Sequence, residues 1–424
     1  MTNRFVVIIL ISILLVPTIA FALPSCSNPI TFCGCALDDP SGATYSLSND
    51  ISSQSGTCLE ITTGGNFLLG NGFTISGSGT GIGIHVESSN NLIRNLNIKN
   101  FQWGIYISEI VNSNFIYDNR IFNNSIVGVS ITGAFDNYIY NNFFNNTGKN
   151  AYDDSSNFWN NGKTSGTNII GGPYKGGNFW SDYAGQDTNG DGIGDTDVPY
   201  TANGFIVNGG DNLPLVDIIA PIPSNIKPQN HEEYVPGHSY QFNVTWTDNI
   251  GVSEVKIENN FSGTLRNDTV TTKSGNEYYY NYNLQPGVYS WREFASDARG
   301  NQQVTPQEIF NLTDTTAPAV TITSPPNSTI SSPYILYSSW TTMDKLPLNY
   351  VVNEQTPWTA YNLDNKGNVS ISGNTSLSVY TAGNHTIVLY AKDNYGNIGS
   401  ATKTFYVKIQ STCRGGGRFP ICWV

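Results

Sequence analysis

The amino-acid sequence predicts an all-β protein, a parallel β-helix followed by two β-sandwich domains, and three observations lead there. Short Ile, Val, Tyr and Phe runs broken by Asn, Gly and Asp recur throughout, and no segment sustains the 3.6-residue apolar period of a helix. In the first half a 23-residue period aligns Asn91, Asn114 and Asn137, then Ile93, Ile116 and Ile139, then Ile98, Ile121 and Phe144, then Asn100, Asn123 and Asn146. In the second half a unit of about 95 residues is duplicated: Ala220-Pro221 recurs as Ala317-Pro318, and Asp297-Ala-Arg-Gly-Asn301 as Asp393-Asn-Tyr-Gly-Asn397.

The chain opens with a secretory signal, residues 1–22: Arg4, an apolar run from Phe5 to Val16 too short to cross a bilayer, then Pro17 and the small-residue stop at Ala20-Phe21-Ala22. No later segment is long and apolar enough to span a membrane, so a secreted, extracellular or cell-surface protein is expected. All six cysteines (Cys26, Cys33, Cys35, Cys58, Cys413 and Cys422) follow the cleavage site, and an even count in an exported chain points to disulfides. Cys413 pairs with Cys422 by proximity, and one of Cys33 or Cys35 takes Cys58. Charged residues make up only 12%, and ten Asn-X-Ser/Thr sequons suit a glycoprotein surface. A formal charge of −12 argues against nucleic acid and anionic membranes as partners.

Residues 23–216 are assigned to the β-helix. A 23-residue unit cannot bury its own apolar side chains, but coils stacked about 4.8 Å apart bring the isoleucines of successive turns together inside a solenoid. The aligned asparagines then form ladders at the corners. Gly83-Ile-His-Val, Gly104-Ile-Tyr-Ile and Gly128-Val-Ser-Ile mark another strand of each coil at looser spacing. Residues 217–314 and 315–410 form the two sandwiches, where Tyr240-Gln-Phe-Asn-Val-Thr-Trp246 and Phe405-Tyr-Val-Lys-Ile409 alternate with period two, and 411–424 form a cysteine-containing tail. The Asp-x-x-Gly-Asn turns are structural turns that could also touch an ion between domains.

Tyr45 to Ile51, Gly56-Thr-Cys-Leu-Glu-Ile61, Asn71 to Ile75 and Gly177-Asn-Phe-Trp-Ser-Asp-Tyr183 through Pro199-Tyr200 resemble the NosD-type right-handed parallel β-helix of secreted archaeal proteins, over roughly residues 30–216. The sandwiches resemble the Ig-like modules that often follow such helices. The resemblance implies kinship with carbohydrate-binding and sugar-hydrolase β-helices. It also carries a copper association, but four histidines and two methionines without a Met/His or Cys/His cluster offer no evident copper ligands, and no copper is expected.

An enzyme acting on a polysaccharide laid along the stack needs paired carboxylates, or a metal with a basic residue, on one face. Glu87 and Glu109, at nearly equivalent places on adjacent coils with Arg94, Lys99 and Arg120 nearby in sequence, are the catalytic candidates; solvated surface glutamates explain the same letters. Trp159, Trp180 and Tyr183, where the helix ends, suit either a platform stacking on a sugar face or a cap on the solenoid core. The acidic run Asp187, Asn189, Asp191, Ile193, Asp195 and Asp197, with Gly192 for the sharp turn, resembles dockerin and thrombospondin type 3 loops and predicts a structural Ca2+ site. Position 12 of that pattern is Val198, so either Asp197 supplies the last oxygens or the affinity is low. The function expected from these features is a non-catalytic secreted or surface protein that binds carbohydrate or a cell-surface glycan, with a polysaccharide lyase or glycoside hydrolase as the alternative.

Overall fold

The computed structural model describes residues 22–228, 230–338 and 344–411, and these are all β, without a helix. The expected signal segment, except Ala22, and the expected pairing of Cys413 with Cys422 lie outside the described residues. The chain divides into two compact units: one holds residues up to Ile222 with Trp246–Glu254 and Ala295–Gln303, the other Pro223–Thr245, Val255–Phe294 and the residues from Val304 onward.

The first unit is built on a parallel solenoid of three sheets with seven, five and six strands. Its long face stacks Cys35–Leu37, Thr57–Ile61, Ile82–Val86, Trp103–Ile107, Val127–Ile131, Lys149–Ser156 and Ile206–Asn208. Each coil then turns through a second face (Leu92–Arg94, Phe115–Tyr117, Tyr138–Tyr140) and a third (Asn97–Lys99, Arg120–Phe122, Phe143–Asn145). The 23-residue spacing becomes register: Ile93 pairs Ile116 and Ile116 pairs Ile139, while Ile98, Ile121 and Phe144 pair in turn. All six side chains are fully buried, so like apolar groups of successive coils form the core. On the long face Ile84, Ile105 and Val129 do the same. Gly104 is glycine because a Cβ there would lie 2.5 Å from the Gly128 carbonyl oxygen of the next coil, so the backbones leave no room for a side chain.

Three buried asparagine ladders run through the coil corners. In the first, Asn91 N donates to Asn114 Oδ1 (2.8 Å), Asn114 N to Asn137 Oδ1 (3.0 Å) and Asn137 N to Asn157 Oδ1 (3.0 Å). A second links Leu96 N to Asn119 Oδ1, then Asn142 and Asn178, and a third links Phe101 N to Asn124 Oδ1, then Asn146 and Asn150. The expected column Asn100, Asn123 and Asn146 divides. Asn100 and Asn123 are exposed and hold left-handed corners (φ 62° and 55°), whereas Asn146 follows Asn124 in the third ladder, one residue having dropped out of that coil.

Two disulfides staple the N-terminal end, Cys26–Cys35 and Cys33–Cys58; the second takes the partner expected for one of Cys33 or Cys35 and joins neighbouring coils. The later domains are each a pair of sheets. In the first sandwich Tyr240–Thr247 pairs antiparallel with Glu277–Tyr282, and in the facing sheet Asn230–Glu233 runs parallel to Glu308–Thr313. The second sandwich repeats that feature, with Tyr334–Ser338 parallel to Ile398–Ser411, around Leu346, Leu348, Ile387, Leu389 and Phe405.

Asn119 tests the ladders. Its Oδ1 accepts Leu96 N (3.1 Å), and its Nδ2 donates to the carbonyls of Ile93 and Tyr117 (3.0 Å each). Asn119→Ala leaves several buried polar groups without partners, each costing about 1–3 kcal/mol. Denaturant unfolding is expected to show a loss of roughly 3–5 kcal/mol; a loss below about 1 kcal/mol, within the range of ordinary surface substitutions, would refute the load assigned to the ladder.

Candidate functional site

The C-terminal end of the solenoid and its lateral faces hold the chemistry. At the end, each residue of Gly177–Tyr183 has a task. A Cβ on Gly177 would fall 1.8 Å from Asp211 Oδ1, so only glycine fits beside that carboxyl. Asn178 closes the second ladder, its N–H donating to Asp211 Oδ2 at 2.6 Å. Phe179 stacks on Phe143 (4.9 Å between centroids) and Trp180 on Phe144 (4.5 Å). Asp182 accepts from Asn150 Nδ2 and the Tyr200 hydroxyl, both at 2.6 Å, and the Tyr183 hydroxyl donates to the Thr196 carbonyl.

Trp159 and Trp180 are fully buried and Tyr183 nearly so, with the two indoles 5.5 Å apart. They pack against the apolar core as a cap, so these three rings offer no exposed face for stacking on a sugar. Each indole N–H, which must be satisfied once buried, finds a buried carboxylate: Trp159 Nε1 donates to Asp153 and Trp180 Nε1 to Asp211, both at 2.9 Å. Burial raises both carboxyl pKa values, that of Asp211 up to about 7, while the Asn178 backbone N–H, Trp180 and the Leu213 backbone N–H pull it down. Neither aspartate stood out in the sequence: Asp211 lies 31 residues from Trp180 and outside the motif that contains it, and Asp153 is marked only by contacts that folding makes.

The lateral face carries rings that do meet solvent. On the second face Phe115 stacks on Tyr138 (4.9 Å) and Tyr138 on Phe158 (4.6 Å), and Phe115 and Phe158 are 38% and 46% exposed. Beside them Tyr117 stacks on Tyr140 at 5.0 Å, with the Arg94 guanidinium 5.9 Å from the Tyr117 ring centre. Arg94 also lines a groove of about 410 Å³, together with Asn95, Asp118, Asn141, Asn168 and Lys175 among others, and Asp118 and Asn141 directly follow Tyr117 and Tyr140 in the chain. Lys175 Nζ lies 3.8 Å from Asp118, which also accepts from the Asn141 amide. The signal was present in the sequence: Phe115 and Tyr138, like Tyr117 and Tyr140, are 23 apart.

Glu87 and Glu109 are both exposed, and the register sets Glu87 one step beyond the Val86–Ile107 pair, opposite Ser108 and not Glu109. The basic residues once grouped with them turn to rings: Lys99 lies over Phe122 and Arg120 over Phe143. Glu87 instead joins a different set. His85 Nδ1 is 3.2 Å from Glu87 Oε1, and His85 Nε2 is 2.8 Å from Ser108 Oγ, a hydroxyl, imidazole and carboxylate in sequence. Glu60, paired with His85 in register, has its pKa raised by burial and by Glu87 and lowered by His85.

In the acidic loop, Asp187 Oδ1 accepts from the backbone N–H of Asn189, Gly190 and Asp191, and its Oδ2 from Gly192. Asp191 accepts from Ile193 N and from Lys163, and Asp195 from Thr188 and Asn189. Ile193 buries its side chain with Phe143, Phe179 and Leu215, and Asp197 holds a left-handed turn (φ 53°). Among the described residues two groups of three side chains bring potential ligand atoms within 4.8 Å of one another. Both consist of carboxylates, and neither lies in this loop.

Residues 33–185 match the NosD family, described as periplasmic copper-binding protein, and they lie in the unit built on the parallel solenoid. No curated protein sequence matches the chain. Among solved structures, fibronectin(III)-like modules of Clostridium thermocellum CbhA are 18% identical over 44% of this chain and 95% of that one, with a TM-score of 0.20. Titin domains Z1Z2 in complex with telethonin are 16% identical over 46% of this chain and all of theirs, at 0.29. A Ca2+-stabilized adhesin with which an Antarctic bacterium binds ice is 14% identical over 49% and 54%, at 0.22.

Asp211 sets a pH dependence. A carboxyl with a folded pKa near 7, above its unfolded value near 4, contributes its full stability only at pH below about 4 and loses it as pH rises through about 7. Asp211→Asn keeps an acceptor for Asn178 and Trp180 without the ionisation. The Tm of the variant relative to the parent is therefore expected to improve between about pH 4 and pH 8; parallel Tm profiles in calorimetry would reject the assignment.

Proposed function

We propose that this chain is a non-catalytic extracellular or cell-surface protein that binds polysaccharide along the lateral face of its β-helix. The observation that carries this is the solvent-facing strip Phe115, Tyr138 and Phe158 beside the polar groove at Asn95, Asp118 and Asn141. Pyranose rings have an apolar C–H face and hydroxyl edges. An extended run of aromatic rings next to amides and a carboxylate complements both, and its direction along the stack suits a chain of sugars. Export is supported by the two disulfides and by the periplasmic description of the matching family, alongside the N-terminal signal. No helix among the described residues is long and apolar enough to cross a membrane. Copper is not carried over from the family: His85 is bonded to Ser108 and Glu87, and His385 to Asp364 and the Thr381 carbonyl. Calcium in the 187–197 loop belongs to the same proposal as a structural ion, offsetting the repulsion of Asp187, Asp191, Asp195 and Asp197.

A glycan array followed by calorimetry with the retained polysaccharide tests the binding face. Phe115→Ala and Tyr138→Ala are each expected to weaken binding by roughly 3- to 10-fold, the scale of one ring's stacking energy, with little change in Tm. Unchanged affinity in the double variant, or no retained glycan at all, sinks the proposal.

The Ser108–His85–Glu87 chain favours one second function, hydrolysis of an ester substituent on such a polysaccharide. Ser108 Oγ would attack the acyl carbon as its proton passes to His85 Nε2, the sugar hydroxyl would leave with that proton, and water would release the acid. Acetylated polysaccharide is expected to release acetate with the parent and none with Ser108→Ala. Equal release by both discards this function, and new reducing ends or unsaturated products lost in Glu87→Gln would point to backbone cleavage.

A further inference from the structure

Within the first unit, Asp217, Asp248 and Asp297 each bring one carboxylate oxygen to within 4.8 Å of the others. Asp217 and Asp297 are buried, at 3% and 4% exposure, and Asp248 is half-buried. Backbone or amide donors hold Asp217 and Asp248 on one oxygen and Asp297 on both. Asp217 Oδ1 accepts from Ile219 N (3.1 Å) and Asn249 Nδ2 (2.7 Å), and Asp248 Oδ1 from Ile250 N (2.9 Å) and Gly251 N (2.6 Å). Asp297 Oδ1 accepts from Arg299 N (2.8 Å) and Asn301 N (2.9 Å), and its Oδ2 from Asn301 Nδ2 (2.7 Å).

The other oxygens of Asp217 and Asp248 are buried and have no hydrogen-bond partner, and the same is true of Asn249 Oδ1, whose amide nitrogen is fixed on Asp217 and on the Ile170 carbonyl. A buried carboxylate oxygen without a donor costs several kcal/mol, and three like charges side by side add to the cost. The guanidinium of Arg299, in the same turn, is turned to the carbonyls of Tyr183 and Gly185. Burial, the amide of Asn249 and the neighbouring carboxylates Asp297 and Asp248 act on Asp217, whose pKa ends near 6. The unpartnered atoms are all hard oxygens on rigidly held side chains, with no nitrogen or sulfur among them, and that is the donor set of calcium, which takes six to eight oxygens in flexible geometry.

We propose that Asp217, Asp248 and Asp297, with Asn249 Oδ1, form a calcium site that ties together three segments remote in sequence. The site is separate from the 187–197 loop and independent of the glycan-binding face. The Asp-x-x-Gly-Asn turn that presents Asp297 recurs in the second unit, where Asp393 Oδ1 accepts from Tyr395, Gly396 and Asn397 and lies in a group with Asp314 and Glu354. Asn397 Nδ2 donates to the Asp314 carbonyl as Asn301 Nδ2 does to that of Asp217, both at 2.9 Å. None of that second group's oxygens is buried without a partner among the described residues, so the proposal is confined to the first.

The test uses the full mature chain, stripped of metal with EDTA and titrated with CaCl2 by calorimetry and thermal unfolding. The parent, and Asp191→Ala in which the loop is disabled, are expected to bind calcium and to gain about 5 °C in Tm at roughly 100 times the Kd. Asp217→Asn should fold without calcium, since it removes an uncompensated charge, and should lose one bound ion and that gain. Where Asp217→Asn does not fold, Asp248→Asn, half-buried and keeping its turn acceptor, replaces it. The same number of bound ions in the parent and in the folded variant would overturn the proposal, as would no heat of binding in Asp191→Ala at millimolar calcium.

Discussion

The structure depends on satisfying the backbone at the buried corners of the coils. A strand stacked on its neighbour pairs its own amides, but at a corner the chain turns away from the ladder while still enclosed, and an N–H left there without an acceptor would cost more than most single contacts return. An asparagine side chain from the next coil supplies that acceptor and, through its own amide, reaches carbonyls as well. Asn119 and Asn142 each meet four or more such demands in the core. Because the donor and acceptor lie one coil apart, the bond is made only when successive coils are in register. The isoleucine columns and the aromatic rungs inherit their alignment from this constraint.

The cap follows from the same requirement. Each ladder passes its donors in one direction, and the last amide needs a group that only accepts. Asp153 takes that place after Asn157, Asp211 after Asn178 and Asp182 after Asn150. Two of these carboxylates also receive the indole N–H groups of Trp159 and Trp180, so closing the ladders and closing the apolar core are one construction.

Much of this was legible in the sequence, because periodicity is a local property written many times over. The coil length, the first asparagine ladder, the isoleucine core and the duplicated sandwiches all follow from repeated spacings. What escaped depends on single encounters between remote segments. Asp297 was visible in its turn, but Asp217 and Asp248, which meet it, carry no mark in their own neighbourhoods. Trp180 was conspicuous by type, yet its burial depends on Tyr200 at the far end of the motif and on Asp211 beyond it. Glu87 and Glu109 looked equivalent by approximate spacing, whereas the true register offsets them by one residue and sets Glu87 opposite Ser108.

Because the coils from Asn91 to Asn137 offer one another the same donors, acceptors and apolar columns, they are interchangeable units between two fixed ends, the Cys26–Cys35 and Cys33–Cys58 disulfides and the aspartate-terminated cap. Inserting or deleting one 23-residue coil between Asn91 and Asn137 would lengthen or shorten the solenoid by about 4.8 Å without rebuilding either end. The length of the lateral face is therefore an evolvable dimension, open to adjustment by duplication alone.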